Sequence, residues 1–391
     1  MKEIEIERDD YVFEFNYDDC VFMELDFNKL KYDDFFHSCM YKNMPCIIKN
    51  VSSTWECTRK WIDSDLINYD HFTDNYGDLE APVADCNTVT YNAHCKSNMS
   101  VDDYVGYLRK SEREKLLYLK DWHLRKIRPN DEFYEVPFIF ASDWLNEYAL
   151  DHKEDDFMFV YIGPEKSWTP LHADVYNSYS WSVNIVGKKR WILFPPLEEE
   201  KLKDSLGNLP LLFEYEMSEG IKYFEIIQEQ GDAIFVPSGW HHQVVNLLDT
   251  ISINHNWINA CNLELVFKAL QNSLSSIENE IQEFKDTPEF YSQCQLILKS
   301  LFGMDVTSFM NFLCYIGNKR LGQIKSENNI SFGKYKLGKK LIKLDLNSIL
   351  NVINIIYSKP TFLNNYLSPN NIKDLLYIKK LIVQHPDINM S

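Results

Sequence analysis

The sequence predicts an α+β protein: a β-rich core of jelly-roll type, with α/β elements before it and helices after it. Three observations carry that expectation. Short apolar runs of strand length recur between residues 156 and 257, separated by turn residues. Aromatic residues make up 14% of the 391, which suits a sheet interior better than a coiled coil. Beyond Cys261 the apolar spacing changes from a strand rhythm to a helical one.

In chain order, the first 135 residues mix short apolar runs (Pro45-Cys46-Ile47-Ile48, Leu116-Leu117-Tyr118-Leu119) with polar helical stretches, and read as support for the core. Residues 156–163 read as a buried strand closed by Gly163 and Pro164. Runs at 180–186, 190–194, 222–227, 233–237, 243–246 and 250–257 follow, punctuated by Gly187-Lys188, Pro195-Pro196 and Pro237-Ser238-Gly239. The charged stretch Glu198 to Lys203 reads as a loop or short surface helix. From Asn262, a plausible N-cap, the residues Leu263, Phe267, Leu270, Leu274, Ile277, Ile281 and Phe284 fall on one helical face, with Pro288 beyond to stop it. That stripe suits a homodimer seam or, equally, packing on the chain's own barrel. Helical patterns continue over 291–316 and 372–384. The expected division is 1–135, 136–260 and 261–391.

The formal charge is −18, unevenly spread. Residues 316–391 hold twelve Lys/Arg against four Asp/Glu, or +8, so the rest carries −18 − 8 = −26. A field of that sign repels nucleic-acid phosphates and excludes DNA as a partner of the body, while favouring basic partners. The basic tail reads first as a solvated helical face, and second as a contact for an acidic surface or RNA. No apolar run reaches the length of a membrane span. Met1-Lys2-Glu3-Ile4-Glu5 has acids where a signal peptide needs a basic patch. Nine scattered cysteines without a C-x-x-C pair read as reduced thiols, and Cys86, His94 and Cys95 match no common zinc spacing. A soluble intracellular chain is expected.

Three fragments carry chemistry. In Thr169-Pro170-Leu171-His172-Ala173-Asp174, an extended backbone puts His172 and Asp174 on one face. Gly231-Asp232-Ala233-Ile234-Phe235-Val236-Pro237 leads to His241-His242, one of which can lie beside His172 on a neighbouring strand. Two histidines and one carboxylate form the facial set that leaves positions open on non-haem Fe(II). Third, Lys189 opens a strand just after the Gly187-Lys188 turn. A cation there can hold the far carboxylate of a dicarboxylate whose other end chelates the metal.

Together, His172-x-Asp174, Gly187-Lys188-Lys189-Arg190-Trp191-x-Leu193-Phe194-Pro195-Pro196 and Gly231-Asp232-x-x-Phe235-Val236-Pro237-x-Gly239-Trp240-x-His242 resemble the jumonji-C family of 2-oxoglutarate oxygenases, from Tyr161 to Trp257. Weaker similarity covers Leu117 to His123 and Phe140 to Leu145. The resemblance implies a cupin-like double-stranded β-helix with Fe(II) on His172, Asp174 and His242, and with 2-oxoglutarate and dioxygen as cosubstrates. It places Lys189 on the distal carboxylate of 2-oxoglutarate, supported by the hydroxyls of Thr169 and Tyr118. Asn254, where a relative has threonine, is counted with them as a departure from the pattern. His241 is expected to be neutral packing, and Trp181 and Trp191 to be core or pocket wall.

The fragments most resemble a branch associated with lysine hydroxylation on the eukaryotic peptide-chain release factor. This implies a lysyl hydroxylase acting on a protein in translation termination, in the cytoplasm. The rival readings are a histone lysine demethylase, a non-catalytic protein that keeps the fold, and a cupin-like small-molecule binder. Demethylases of the superfamily commonly carry His-x-Glu, scaffolds often lose a ligand or the lysine, and a simple binder leaves Lys189, Thr169 and Tyr118 unexplained.

Overall fold

Two sheets face each other in the computed structural model, which describes residues 2–90, 93–325, 332, 334–386 and 388. Their strands are β1 (Met23–Asp26), β2 (Cys46–Lys49), β3 (Glu80–Thr90), β4 (Ala93–Ser100), β5 (Leu117–Trp122), β6 (Met158–Gly163), β7 (Trp168–His172), β8 (Tyr179–Val186), β9 (Lys189–Phe194), β10 (Phe224–Gln228), β11 (Ala233–Val236), β12 (His241–Asn246) and β13 (Thr250–Trp257). The large sheet runs β1-β2-β11-β8-β13-β6-β5-β3-β4 and the small one β7-β12-β9-β10. From β6 to β13 the chain changes sheet at nearly every turn, which is what folds a meander into a jelly roll. Gly187 makes one of these crossings. Its φ is +80°, and a Cβ would lie 2.1 Å from the Asp249 carbonyl oxygen, so the turn takes glycine alone.

The strands from β6 onward, β7 excepted, coincide with the apolar runs to within two residues at either end; β7 carries no such run. The polar hairpin β3–β4 was not anticipated; with β1, β2 and β5 it extends the large sheet well into the N-terminal region. Between the sheets, Ile47, Ile234 and Val236 meet Trp191, Leu193, Ile226 and Val244. These buried side chains fill part of the barrel and leave the remainder to polar groups.

Behind the large sheet lie helices Leu263–Glu280, Phe290–Phe302, Val306–Gln323, Lys339–Tyr357, Pro360–Tyr366 and Pro369–Val383. Leu263, Phe267, Leu270, Leu274 and Ile277 are buried within the chain's own core, and Phe267 stacks on Phe309 at 5.4 Å. The helix ends at Glu280, short of the expected Phe284, which is 52% exposed in a following 3-10 turn. The helix expected over 291–316 is broken: Gly303, at φ +88°, ends one helix, and the Asp305 carboxylate caps the next by accepting from Ser308 N–H. No single helix among the described residues is long and apolar enough to cross a membrane; only the pair flanking this 70° break reaches that test together.

Part of the basic tail meets the chain's own acidic N-terminus. Glu3-Ile4 pairs with Lys336-Leu337, and Glu5 accepts from the Lys340 and Leu341 N–H groups at the start of a helix. Lys336 and Lys343 lie 3.8 and 3.5 Å from Glu3 and Asp9.

Arg320 departs from the solvated-face reading altogether. It is fully buried, with Nη2 2.7 Å from Glu147 and Nε 2.6 Å from Asp345, and so locks two C-terminal helices to helix Trp144–His152. Arg320→Met should destabilise the fold by about 3–5 kcal/mol, because buried Asp345 loses its cation and buried Glu147 keeps only Lys319. Urea denaturation measures this, and a change below about 1 kcal/mol would mean the network contributes little.

Candidate active site

β7 and β12 lie side by side in the small sheet, with His172 directly opposite His242 and their rings 4.4 Å apart. A register shift between Thr169 and His172 bends β7 just before the first histidine. The strand then ends, so Asp174 stands on extended backbone beyond it, at the start of the turn Val175–Asn177. The expected shared face of His172 and Asp174 is therefore fixed by contacts as well as by strand alternation. Ser180 Oγ donates to Asp174 at 2.6 Å and Asn256 Nδ2 at 2.9 Å. Ligand atoms of His172, Asp174 and His242 all lie within 4.8 Å of one another.

The protonation pattern suits a cation. His172 Nδ1 lies 2.8 Å from the Pro170 carbonyl and His242 Nδ1 3.1 Å from that of Trp240. A carbonyl can only accept, so Nδ1 carries the hydrogen and Nε2 the lone pair. Burial, then the neighbouring His172, pushes His242 down to about 4, keeping it a neutral ligand near pH 7. Two imidazole lone pairs and one anchored carboxylate fit a divalent transition metal.

His241 faces the other side of β12, as alternation requires, with Nδ1 3.4 Å from Glu199. Burial pushes it down to about 4, which agrees with neutral packing. Trp181 and Trp191 line the cavity above the donor set, and Trp191 stacks on His242 at 5.6 Å.

Deeper in the same cavity, Lys189 is buried, with Nζ 2.7 Å from Ser252 Oγ and 3.5 Å from Tyr118 Oη. Among the described residues it has no carboxylate partner. Burial, with a smaller contribution from the nearby Lys120 charge, pushes its pKa down to about 7. Burial raises the Tyr118 phenol, which therefore stays a neutral donor. A buried cation among hydroxyls is a seat for an anion. Thr169 and Asn254 line this cavity too, and Asn254 donates to Ser252 at 3.3 Å.

All seven predicted site residues thus converge on one cavity. The sequence reading missed Ser180, Ser252, Asn256 and Lys120. A signal was present for two of them: Ser252, Asn254 and Asn256 recur every second residue along β13, the mark of a polar face inside an otherwise apolar strand. A wider groove of about 440 Å³ leads from His172 and Asp174 past Phe157, Phe159 and Tyr161.

A jelly-roll barrel that places an anion seat beside a two-histidine, one-carboxylate donor set defines the class of iron- and 2-oxoglutarate-dependent oxygenases. Residues 32–262 match the family described as Cupin-like domain, and the chain belongs to that family, in its jumonji-C group of oxygenases. It is 39% identical over 368 residues to the 2-oxoglutarate and iron-dependent oxygenase JMJD4 of Danio rerio, covering 87% of each chain. Identity to the Homo sapiens protein of that name is 41% over 315 residues, 74% of each chain. An Arabidopsis thaliana protein named arginine-specific demethylase JMJ20 is 37% identical over 356 residues, 83% of this chain and 77% of that one. Iron, 2-oxoglutarate and dioxygen are accordingly the cofactor and cosubstrates.

Proposed function

We propose that this oxygenase hydroxylates a lysine side chain of a protein substrate, with the eukaryotic peptide-chain release factor as that substrate. The observation that carries the reading is the groove of about 440 Å³, which brings a side chain from solvent to His172 and Asp174 between aromatic walls. The acidic body attracts a basic protein segment. The branch of the family that the sequence resembles directs the choice to the release factor, and cytoplasmic residence goes with that choice.

Each residue then has a task. His172, Asp174 and His242 hold the iron, and Ser180 and Asn256 keep the Asp174 carboxylate aimed at it. Lys189 neutralises the distal carboxylate of 2-oxoglutarate, with Ser252, Tyr118 and Thr169 completing the seat and Asn254 bracing Ser252. Trp181 and Trp191 exclude water from the space between. When bound, iron would activate dioxygen, one oxygen atom of which would go to the succinate formed from 2-oxoglutarate with loss of carbon dioxide, and the other to the substrate C–H bond.

Asn256→Ala should weaken metal binding by roughly 10–100-fold, the usual cost of losing a partner that orients a ligand. Titration with Fe(II) or Mn(II) reads this directly, and unchanged affinity would remove Asn256 from the metal site.

Intact mass of the release factor, after incubation with enzyme, Fe(II), 2-oxoglutarate and air, tests the substrate. A single added oxygen on a lysine, dependent on 2-oxoglutarate, is expected. Succinate formed without any mass change would discard this substrate. The similarity to a protein named arginine-specific demethylase supports a second reading, demethylation, whose mark is loss of a methyl group from a methylated substrate.

A further inference from the structure

In β5 the neighbours Lys120 and Asp121 both line the groove that leads to His172 and Asp174. A regular strand sends adjacent side chains to opposite faces. The exception has a visible cause. Leu119 pairs with Ile162 and Trp122 with Val160, so three steps on β5 match two on β6 and one residue is extra. Asp121 takes up the bulge with φ at +57°, a left-handed conformation that non-glycine residues seldom adopt. A bulge of this kind re-aims a side chain, here a carboxylate.

Apart from Asp174, Asp121 is the one carboxylate on the groove wall among the described residues. Tyr161 Oη donates to Asp121 Oδ1 at 2.5 Å, which fixes its direction. Its other oxygen pairs with Lys96 of β4, a side chain that is half exposed and also borders the groove. A cation thus already occupies this carboxylate, carried on the edge hairpin of the large sheet.

We propose that Asp121 is the specificity-determining carboxylate of the groove: it receives the cationic side chain of the protein substrate, and Lys96 holds that place in the free enzyme. The proposal rests on the reading above that the target side chain is cationic. It assigns the bulge a purpose, since a regular β5 would turn this carboxylate away from the groove. It also assigns Lys96 a purpose, because without it the partly exposed Asp121 carboxylate would keep only the Tyr161 hydroxyl as a hydrogen-bond donor among the described residues.

Two assays on the full chain test it. In the first, N-acetyl-lysine amide and its uncharged norleucine counterpart compete with binding to the iron- and 2-oxoglutarate-loaded enzyme. Wild type should prefer the lysine compound by roughly tenfold, and Asp121→Asn should show no preference. In the second, Asp121→Asn should raise KM for the release factor roughly tenfold or more with kcat little changed, Asp121→Glu should recover part of the loss, and Lys96→Met should lower KM. Equal preference in wild type and Asp121→Asn, or a KM unmoved by both Asp121→Asn and Lys96→Met, would overturn the assignment. If wild type fails to modify the release factor yet distinguishes lysine from norleucine through Asp121, the substrate proposal falls and this one stands.

Discussion

Asp174→Ala is expected to lower 2-oxoglutarate turnover by at least about a hundredfold while leaving the fold in place. Loss of a mere orienting partner already costs roughly 10–100-fold at metal sites, and this change removes a ligand itself. His172→Ala should match it. The fold should survive because Asp174 lies beyond the end of β7 and supports no strand pairing. Its removal frees only Ser180 Oγ and one Asn256 N–H, and Asn256 keeps Ser178 as an acceptor at 3.2 Å. Succinate formation and circular dichroism measured together check both halves. Full activity in the Asp174 variant would remove it from the metal site.

Lys189→Ala should raise the 2-oxoglutarate requirement by about 30-fold or more, the equivalent of the roughly 2–5 kcal/mol lost when one partner of a buried charge pair is truncated. The cost is high because Lys189 is only 2% exposed, so little water can take the ammonium's place. The same burial, helped by Lys120, holds Lys189 at about 7 in the free protein. The sign of the pH effect follows. Below pH 7 the ammonium is already present and affinity for 2-oxoglutarate is at its maximum. Above it, binding must first take up a proton, and affinity falls by up to about tenfold per pH unit. Lys120, pushed down to about 8 by burial, adds a later step in the same direction. Calorimetric titration in two buffers should therefore show proton uptake on binding at pH 8 that shrinks at pH 6. A pH-independent affinity, or no change in Lys189→Ala, would place the cosubstrate elsewhere.

The barrel and its chemistry were legible for different reasons. Strands β6 and β8 to β13 carry the apolar runs that betray them, and the donor set and Lys189 lie in three short fragments with a recognisable pattern. The hairpin β3–β4 was not legible: much of it is exposed, so its side chains follow no apolar rhythm. The break at Gly303 to Asp305 was written in the sequence as a glycine followed by an N-cap, yet the surrounding apolar spacing runs on across it. Arg320 looked like one cation among many in a basic tail. Only tertiary structure shows that Glu147 and Asp345, far apart in the chain, enclose it. Asp121 was unreadable for the same reason. Its place in the groove depends on one extra residue in β5 relative to β6, and no single-strand pattern reveals a register shift.

The central claim is that one cavity holds iron on His172, Asp174 and His242 and 2-oxoglutarate on Lys189. Its most direct measurement is visible absorption under anaerobic conditions as 2-oxoglutarate is added to the Fe(II)-loaded protein. A charge-transfer band should appear with wild type, be missing from Asp174→Ala, and form in Lys189→Ala only at much higher 2-oxoglutarate. No band with wild type, or an undiminished band in Asp174→Ala, would contradict the assignment of this cavity as the oxygenase site.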